Sequence, residues 1–349
     1  MKKWIGYQKG INLGGWLSQC DYSQERLENY ILEEDIEKIA GWGFDHVRLP
    51  FDYNIVQDGE GNVIEKGFEY LQRAVTWCGK YHINIILDLH KTAGYSFDRD
   101  EGESGFFDSE TYQERFYSLW EEMAKRFGDH KADVAFEILN EVTDEKSMDS
   151  WNQIASTCIM RIRKYAPDTK ILVGAYWNNA AVAVKDIALP PDENIVYNFH
   201  CYEPLIFTHQ GASWVEGMPL DFRMNFDNDL EDIFDSTKTY LPLLEILLDP
   251  ARNLKGKLDS RFFEALFAEA ISVAEDKGVS LYCGEYGVID LASPEDTVEW
   301  YRTIHQVFYK YGIGRAAWNY KGLNYGLVDA HMDSVRKEIL GIMTQDAAD

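Results

Sequence analysis

The sequence predicts a single (β/α)₈ barrel, on three observations. Eight short β-branched or aromatic runs recur along the chain, amphipathic helical stretches lie between them, and ionisable residues collect where the runs end. Such a barrel takes about 250 residues, so a chain of 349 has room for one barrel and an insertion. The expected strands are 9–13, 46–51, 84–90, 134–140, 170–175, 195–202, 280–286 and 314–320.

The first strand, Lys-Gly-Ile-Asn-Leu, is followed by a helix over 34–40 that stops at Gly41. Strand 46–51 leads to a helix over 68–81, and strand 84–90 to one over 111–126 that stops at Gly128. After strand 134–140 a helix over 148–165 ends before Pro167, since the residue ahead of proline disfavours helix. A further helix over 261–275 stops at Gly278, just before strand 280–286. Taking strands six and seven to end at 202 and 285, the gap is 285 − 202 = 83 residues, far beyond an ordinary connection. Residues 203–260 are therefore expected to form an inserted helical subdomain of the single domain 1–349, with helical periodicity over 230–248. A doubly wound open sheet has similar periodicity, and the count of eight favours the barrel.

Charge narrows the partners. With 34 basic and 59 acidic residues the net charge is −25, which disfavours nucleic acid and anionic membrane, both bound through basic patches. The reading is a monomer that takes a neutral ligand. Cys20, Cys78, Cys158, Cys201 and Cys283 are odd in number and form no Cys-x-x-Cys pair, so free thiols are expected. No apolar stretch reads as an export signal or approaches the ~18 residues of a membrane span, so the expectation is a cytoplasmic protein, or one exported by a signal outside these residues. Phosphate-binding loops and the Gly-x-Ser-x-Gly elbow are absent.

In a barrel of this kind the chemistry sits at the C-terminal ends of the strands. Those ends carry Arg48, Asp88 and His90, Asn140 and Glu141, His200 and Tyr202, Glu285, and Trp318. Burying so many ionisable groups together is costly unless they are paired, and such clusters mark functional sites. Glu141 and Glu285, on strands four and seven, form the pair of carboxyl groups that glycoside cleavage requires, and Trp318 offers a flat apolar face to a sugar ring. Glu137 reads as a buried partner of Arg48, and Asp88 as a residue that orients a neighbour. Trp4, Trp42, Trp77, Trp120, Trp151 and Trp300 fall in terminal or helical segments and read as packing. Trp16, Trp177 and Trp214 are candidates for lining the cleft, as are Phe207 and His209 at the root of the insertion.

Leu139-Asn140-Glu141 at strand four and Gly284-Glu285-Tyr286 at strand seven, with Arg48, His90, His200, Tyr202 and Trp318 at the matching ends, resemble glycoside hydrolase family 5. So do the opening Lys9-Gly10-Ile11-Asn12-Leu13-Gly14-Gly15-Trp16 and the run Gly43 to Pro50. One departure is Val142 after Glu141, where many members have proline. The resemblance implies that Glu141 is the acid/base and Glu285 the nucleophile. It further implies that Asn140 binds the 2-hydroxyl of the sugar, Trp318 stacks beneath the ring, Arg48 and Tyr202 hold Glu285, and His90 and His200 bind sugar hydroxyls or Glu141. The expected activity is a retaining endo-β-1,4-glucanase acting on β-glucan without cofactor or metal, its two carboxyl groups about 5 to 5.5 Å apart. The alternatives are a β-1,3-glucanase or β-mannanase of the same family, a non-catalytic carbohydrate-binding barrel, and a metal-dependent hydrolase built on His90 and His200.

Overall fold

The computed structural model describes residues 1–98, 101–130 and 133–345. Eight parallel strands close in sequence order into one barrel: β1 (Gly10–Asn12), β2 (His46–Asp52), β3 (Asn84–Lys91), β4 (Val134–Glu137), β5 (Ile171–Val173), β6 (Ile195–Cys201), β7 (Ser280–Tyr286) and β8 (Gly314–Ala317). Alternation sorts the side chains. On β2, Val47, Leu49 and Phe51 join the apolar layer under the helices, while His46 and Arg48 enter the barrel. The N-terminal end of the interior is apolar, filled by Ile86, Ala135, Leu172, Val196, Tyr282 and Ala316 and closed by Trp4 stacked on Tyr7 at 3.9 Å. That plug is the dry floor on which the polar cluster at the other end rests.

Five strands are shorter than expected, β1, β4, β5, β6 and β8, and three of these, β4, β6 and β8, stop short of the site residues Asn140, Tyr202 and Trp318. Asn140 and Trp318 lie beyond the regular ladder, each held by one bond to a neighbouring strand: Asn140 N–H to Leu89 O at 3.0 Å and Trp318 N–H to Tyr286 O at 2.9 Å. The expected helix over 148–165 ends at Ile162. Helix Pro294–Tyr311, not anticipated, has the signals of one: Ser293 caps Asp296 N–H, Pro294 opens it, and Gly312 closes it in the left-handed region. Helices Gln24–Asn29 and Arg336–Thr344 were also not anticipated. Within 203–260 the expected helix over 230–248 divides into Leu230–Tyr240 and a 3₁₀ segment Pro242–Ala251, because proline at 242 has no N–H to continue it. Trp120, Trp151 and Trp300 do pack, and their indole N–H groups tie helices to the catalytic end by donating to Ile138 O, Gly174 O and Glu203 O.

Two register shifts decide which side chains reach the cleft. β2 pairs Phe51 with Leu89 and then Asp52 with Lys91, so His90 is the extra residue. β6 pairs Phe199 with Cys283 and then His200 with Glu285, so Gly284 is the extra residue. Strict alternation from the inward Tyr282 would turn residue 284 inward and Glu285 outward. The bulge inverts that order, a common device beside active sites.

Gly284 N–H donates to Asn198 Oδ1, and Asn198 Nδ2 donates to Glu137 Oε1, so Asn198 is clamped at both ends. A Cβ on residue 284 would stand 2.8 Å from that Oδ1 and 2.9 Å from His200 Nε2. Gly284→Ala is therefore expected to cost about 1 to 3 kcal/mol of stability and to lower turnover by displacing His200. Denaturation and rate measurements at wild-type values would show that the bulge has slack.

Candidate active site

Arg48 occupies the centre of the polar end, fully buried. Its Nε and Nη2 donate to Glu137 at 2.7 and 2.8 Å, Nη1 to Asn12 Oδ1 at 2.9 Å and to Glu285 Oε1 at 2.8 Å, and Nη2 also to Asn140 Oδ1 at 2.7 Å. Asp88 Oδ2 lies 3.0 Å from Nη2. Five N–H groups thus organise five residues from β1, β3, β4 and its C-terminal extension, and β7. Asn12, which the sequence did not mark as a site residue, is fixed by donating to the carbonyls of Gly284, Ala316 and Ala317. Burial raises the carboxyls of Asp88 and Glu137, with Arg48 opposing.

Glu285 receives a second donor, the Tyr202 hydroxyl on Oε2 at 2.9 Å. Glu141 is held differently. His200 Nδ1 meets its Oε1 at 2.7 Å and Asn178 Nδ2 donates to its Oε2 at 2.7 Å, while Tyr95 donates to its backbone carbonyl at 2.6 Å. Burial is the largest influence on the Glu141 carboxyl and raises it, the direction a proton donor needs. Burial also lowers both His90 and His200 to about 4, so these imidazoles are neutral near pH 7. One carboxylate oxygen of Glu141 and one of Glu285 lie within 4.8 Å of one another, and His200 Nδ1 is 2.7 Å from Glu141 and 3.8 Å from Glu285.

The structure brings Arg48, His90, Asn140, Glu141, His200, Tyr202, Glu285 and Trp318 to this one end. Glu137 is the bidentate partner of Arg48, and Asp88 orients His90 through Nδ1 at 2.7 Å. His90 lies parallel to Trp318 with ring centres 5.8 Å apart, and it touches that ring rather than Glu141. Trp318 in turn lies over Gly14, where a Cβ would come within 2.6 Å of Cη2; the close approach accounts for glycine at that position. Trp16 does not line the cleft: it is fully buried, stacks on Trp77 and donates to Leu27 O, because the chain after β1 turns outward under the helix layer. Phe207 is likewise buried, against Phe226. Trp177 is half-buried, and Trp214 is 55% exposed beside His209, which packs on Tyr202 and Tyr325. Sequence reasoning missed Asn178 and Asn179; two asparagines just past a strand end were the available signal, since asparagine tolerates left-handed backbone.

Among the described residues one group has metal-ligand spacing: Glu141, His200 and Glu285. Its donor set is committed elsewhere. Asn179 Nδ2 donates to Asn140 O at 2.6 Å and points its amide at His200 Nε2, 3.4 Å away, so Nε2 is the accepting nitrogen and Nδ1 carries the proton. A metal would need that Nδ1 lone pair.

Two facing carboxyl groups at the C-terminal mouth of a closed (β/α)₈ barrel, one raised by burial and one paired with a guanidinium, define a glycoside hydrolase. The sequence model of Cellulase (glycosyl hydrolase family 5) matches residues 7–324, and the chain belongs to that family. It is 51% identical over 315 residues to cellodextrinase A of Ruminococcus flavefaciens, covering 90% of this chain and 86% of that one. It is 36% identical over 345 residues to endoglucanase C of Acetivibrio thermocellus, covering 98% and 99%. Among solved structures, a hyperthermophilic endo-β-1,4-glucanase in complex with substrate superposes with a TM-score of 0.76 at 22% identity, covering 97% of each chain, a likeness of fold.

Arg48→Lys tests the hub. A lysine keeps the charge but not the planar fork, leaving buried acceptors without donors. The expected cost is about 2 to 3 kcal/mol of stability, together with a large loss of turnover. A variant with wild-type denaturation midpoint and rate would contradict the arrangement.

Proposed function

We propose that this chain hydrolyses β-1,4-linked glucan chains with retention at the anomeric carbon, Glu285 acting as nucleophile and Glu141 as acid/base. The observation that carries the reading is the different footing of the two carboxyl groups. Glu285 faces the Arg48 guanidinium and the Tyr202 hydroxyl, whereas Glu141 is raised by burial and, among the described residues, has no cation in hydrogen-bond contact. Their separation, with one oxygen of each carboxyl within 4.8 Å of the other, favours direct attack over the wider gap that an inverting water requires.

In the first step Glu285 Oε forms a bond to the anomeric carbon as the glycosidic C–O bond breaks, and the proton of Glu141 goes to the departing oxygen. In the second, Glu141, now a carboxylate, takes a proton from water as that water's oxygen displaces Glu285. Asn140 presents Nδ2 to the sugar because Arg48 fixes its Oδ1, and Trp318 lies beneath the ring. His90, anchored through Nδ1, has Nε2 left for a hydroxyl. His200 keeps Glu141 oriented rather than binding metal. Segment 203–260 is read as an inserted subdomain whose root, Tyr202 to Trp214, walls the cleft, with Trp177 and Trp214 as flanking sugar platforms. The two relatives' names, cellodextrinase and endoglucanase, support β-1,4-glucan and its oligosaccharides over β-1,3-glucan or mannan. None of the described helices is long and apolar enough to cross a membrane. The reading is of a monomer that meets its glucan in the cytoplasm or outside the cell.

Digestion of a panel of defined glucans and mannans tests the substrate. Cleavage of cello-oligosaccharides and mixed-linkage glucan is expected, with the β-anomer formed first by NMR and full activity in a chelator. First release of the α-anomer would overturn the mechanism.

Glu285→Gln is expected to abolish turnover on every substrate. Glu141→Ala is expected to lose about 10² to 10⁴ on polysaccharide while still forming the intermediate from activated aryl glycosides. Equal losses on both substrate types in Glu141→Ala would contradict its role. Activity is expected to fall as pH rises through the raised ionisation of Glu141, because the leaving oxygen then finds no proton.

A further inference from the structure

After β5 the backbone passes through three consecutive left-handed residues, Trp177 (φ 52°), Asn178 (φ 56°) and Asn179 (φ 59°). Side-chain-bearing residues visit this region rarely and mostly singly, and such backbone persists where its surroundings over-determine it. Here the surroundings are the acid/base and its two chain neighbours. Asn178 N–H donates to Val142 O at 3.0 Å, Asn179 Nδ2 to Asn140 O at 2.6 Å, and Asn178 Nδ2 to Glu141 Oε2 at 2.7 Å. The turn is thus stitched to residues 140, 141 and 142 in succession.

We propose that Asn178 is a positioning residue for Glu141, its amide donating to Oε2 so that the carboxylate form is cradled between two neutral donors, Asn178 and His200. This rests on the reading of Glu141 as acid/base. An Asn Nδ2 can only donate, so its bond favours the ionised acceptor. Burial pushes Glu141 the other way, and the Asn178 bond is the largest influence opposing it.

Other groups around Glu141 do not duplicate this. Arg48, on β2, is engaged by Glu137, Asp88 and Glu285. His90 on β3 and His200 on β6 are neutral near pH 7. Asp88 on β3 and Glu285 on β7 are acids that favour the protonated form of a neighbouring carboxyl. Tyr202 gives its hydroxyl to Glu285, and Tyr95 gives its own to the Glu141 backbone. The consequence is kinetic: with the donor removed, Glu141 holds its proton to higher pH and is a poorer partner for the water of the second step.

Asn178→Gly keeps the left-handed turn and removes the donor, and Asn178→Asp keeps the shape and substitutes a carboxylate. The alkaline limb of kcat/KM on cello-oligosaccharides is expected to move up by about one pH unit in the glycine variant, the size of a hydrogen bond to a charged group, and further in the aspartate variant. The acidic limb stays in place. On an aryl cellobioside with a good leaving group, where the second step limits, kcat is expected to fall several-fold. An alkaline limb unmoved in both folded variants would overturn the proposal. Glu141→Ala separates the two levels: loss of the alkaline limb there supports Glu141 as the group observed, and its persistence would remove the reading on which the proposal rests.

Discussion

The Arg48 guanidinium is the interaction on which the catalytic end depends. A single buried cation supplies all of its N–H groups to Asn12, Asp88, Glu137, Asn140 and Glu285, side chains carried by four other strands or the loops just beyond them. Buried charges of this kind are weak sources of net stability, because desolvation offsets much of the attraction, yet removal of one partner is severe. Their value here is geometric. The planar fork fixes Glu285 and Asn140 relative to each other, and hence the proposed nucleophile relative to the amide proposed to meet the sugar. Three acids converge on one cation, and burial pushes the carboxyls of Asp88 and Glu137 upward while Arg48 opposes it.

Around this hub the fold separates two carboxyl groups that share one cleft. Glu285 is brought inward by the Gly284 bulge and meets a cation and a phenol. Glu141 sits beyond the end of β4, where regular pairing has stopped, and meets a neutral imidazole and a neutral amide. Identical side chains thereby acquire different surroundings, which is how one site would house the proposed acid and nucleophile. The buried plug that includes Trp4, Tyr7 and Tyr282 fills the barrel below the cluster.

Much of this was legible in the sequence. Eight short β-branched or aromatic runs separated by amphipathic helices pointed to the barrel, and reading strand ends as one face assembled Arg48, His90, Asn140, Glu141, His200, Tyr202, Glu285 and Trp318. What escaped was whatever depends on departure from regular geometry. Strand lengths were overestimated at β4 and β8 because residues 138–140 and 318–320 are β-prone but are held by single bonds outside the ladder. Trp16 looked like a cleft residue from its place after β1, and only the path of the chain buries it against Trp77. Asn178 and Asn179 carry no motif; their importance comes from a left-handed turn that a sequence pattern of strands and helices does not encode.

The central claim is that Glu285, and not Glu141, becomes bonded to the sugar. It is tested most directly by incubating the enzyme with a 2-deoxy-2-fluoro-cellobioside bearing an activated leaving group and locating the added mass by peptide sequencing in the mass spectrometer. The account predicts one fluorocellobiosyl group per chain, attached to Glu285. Attachment at Glu141, or turnover of a competent substrate with no covalent species trapped, would contradict it.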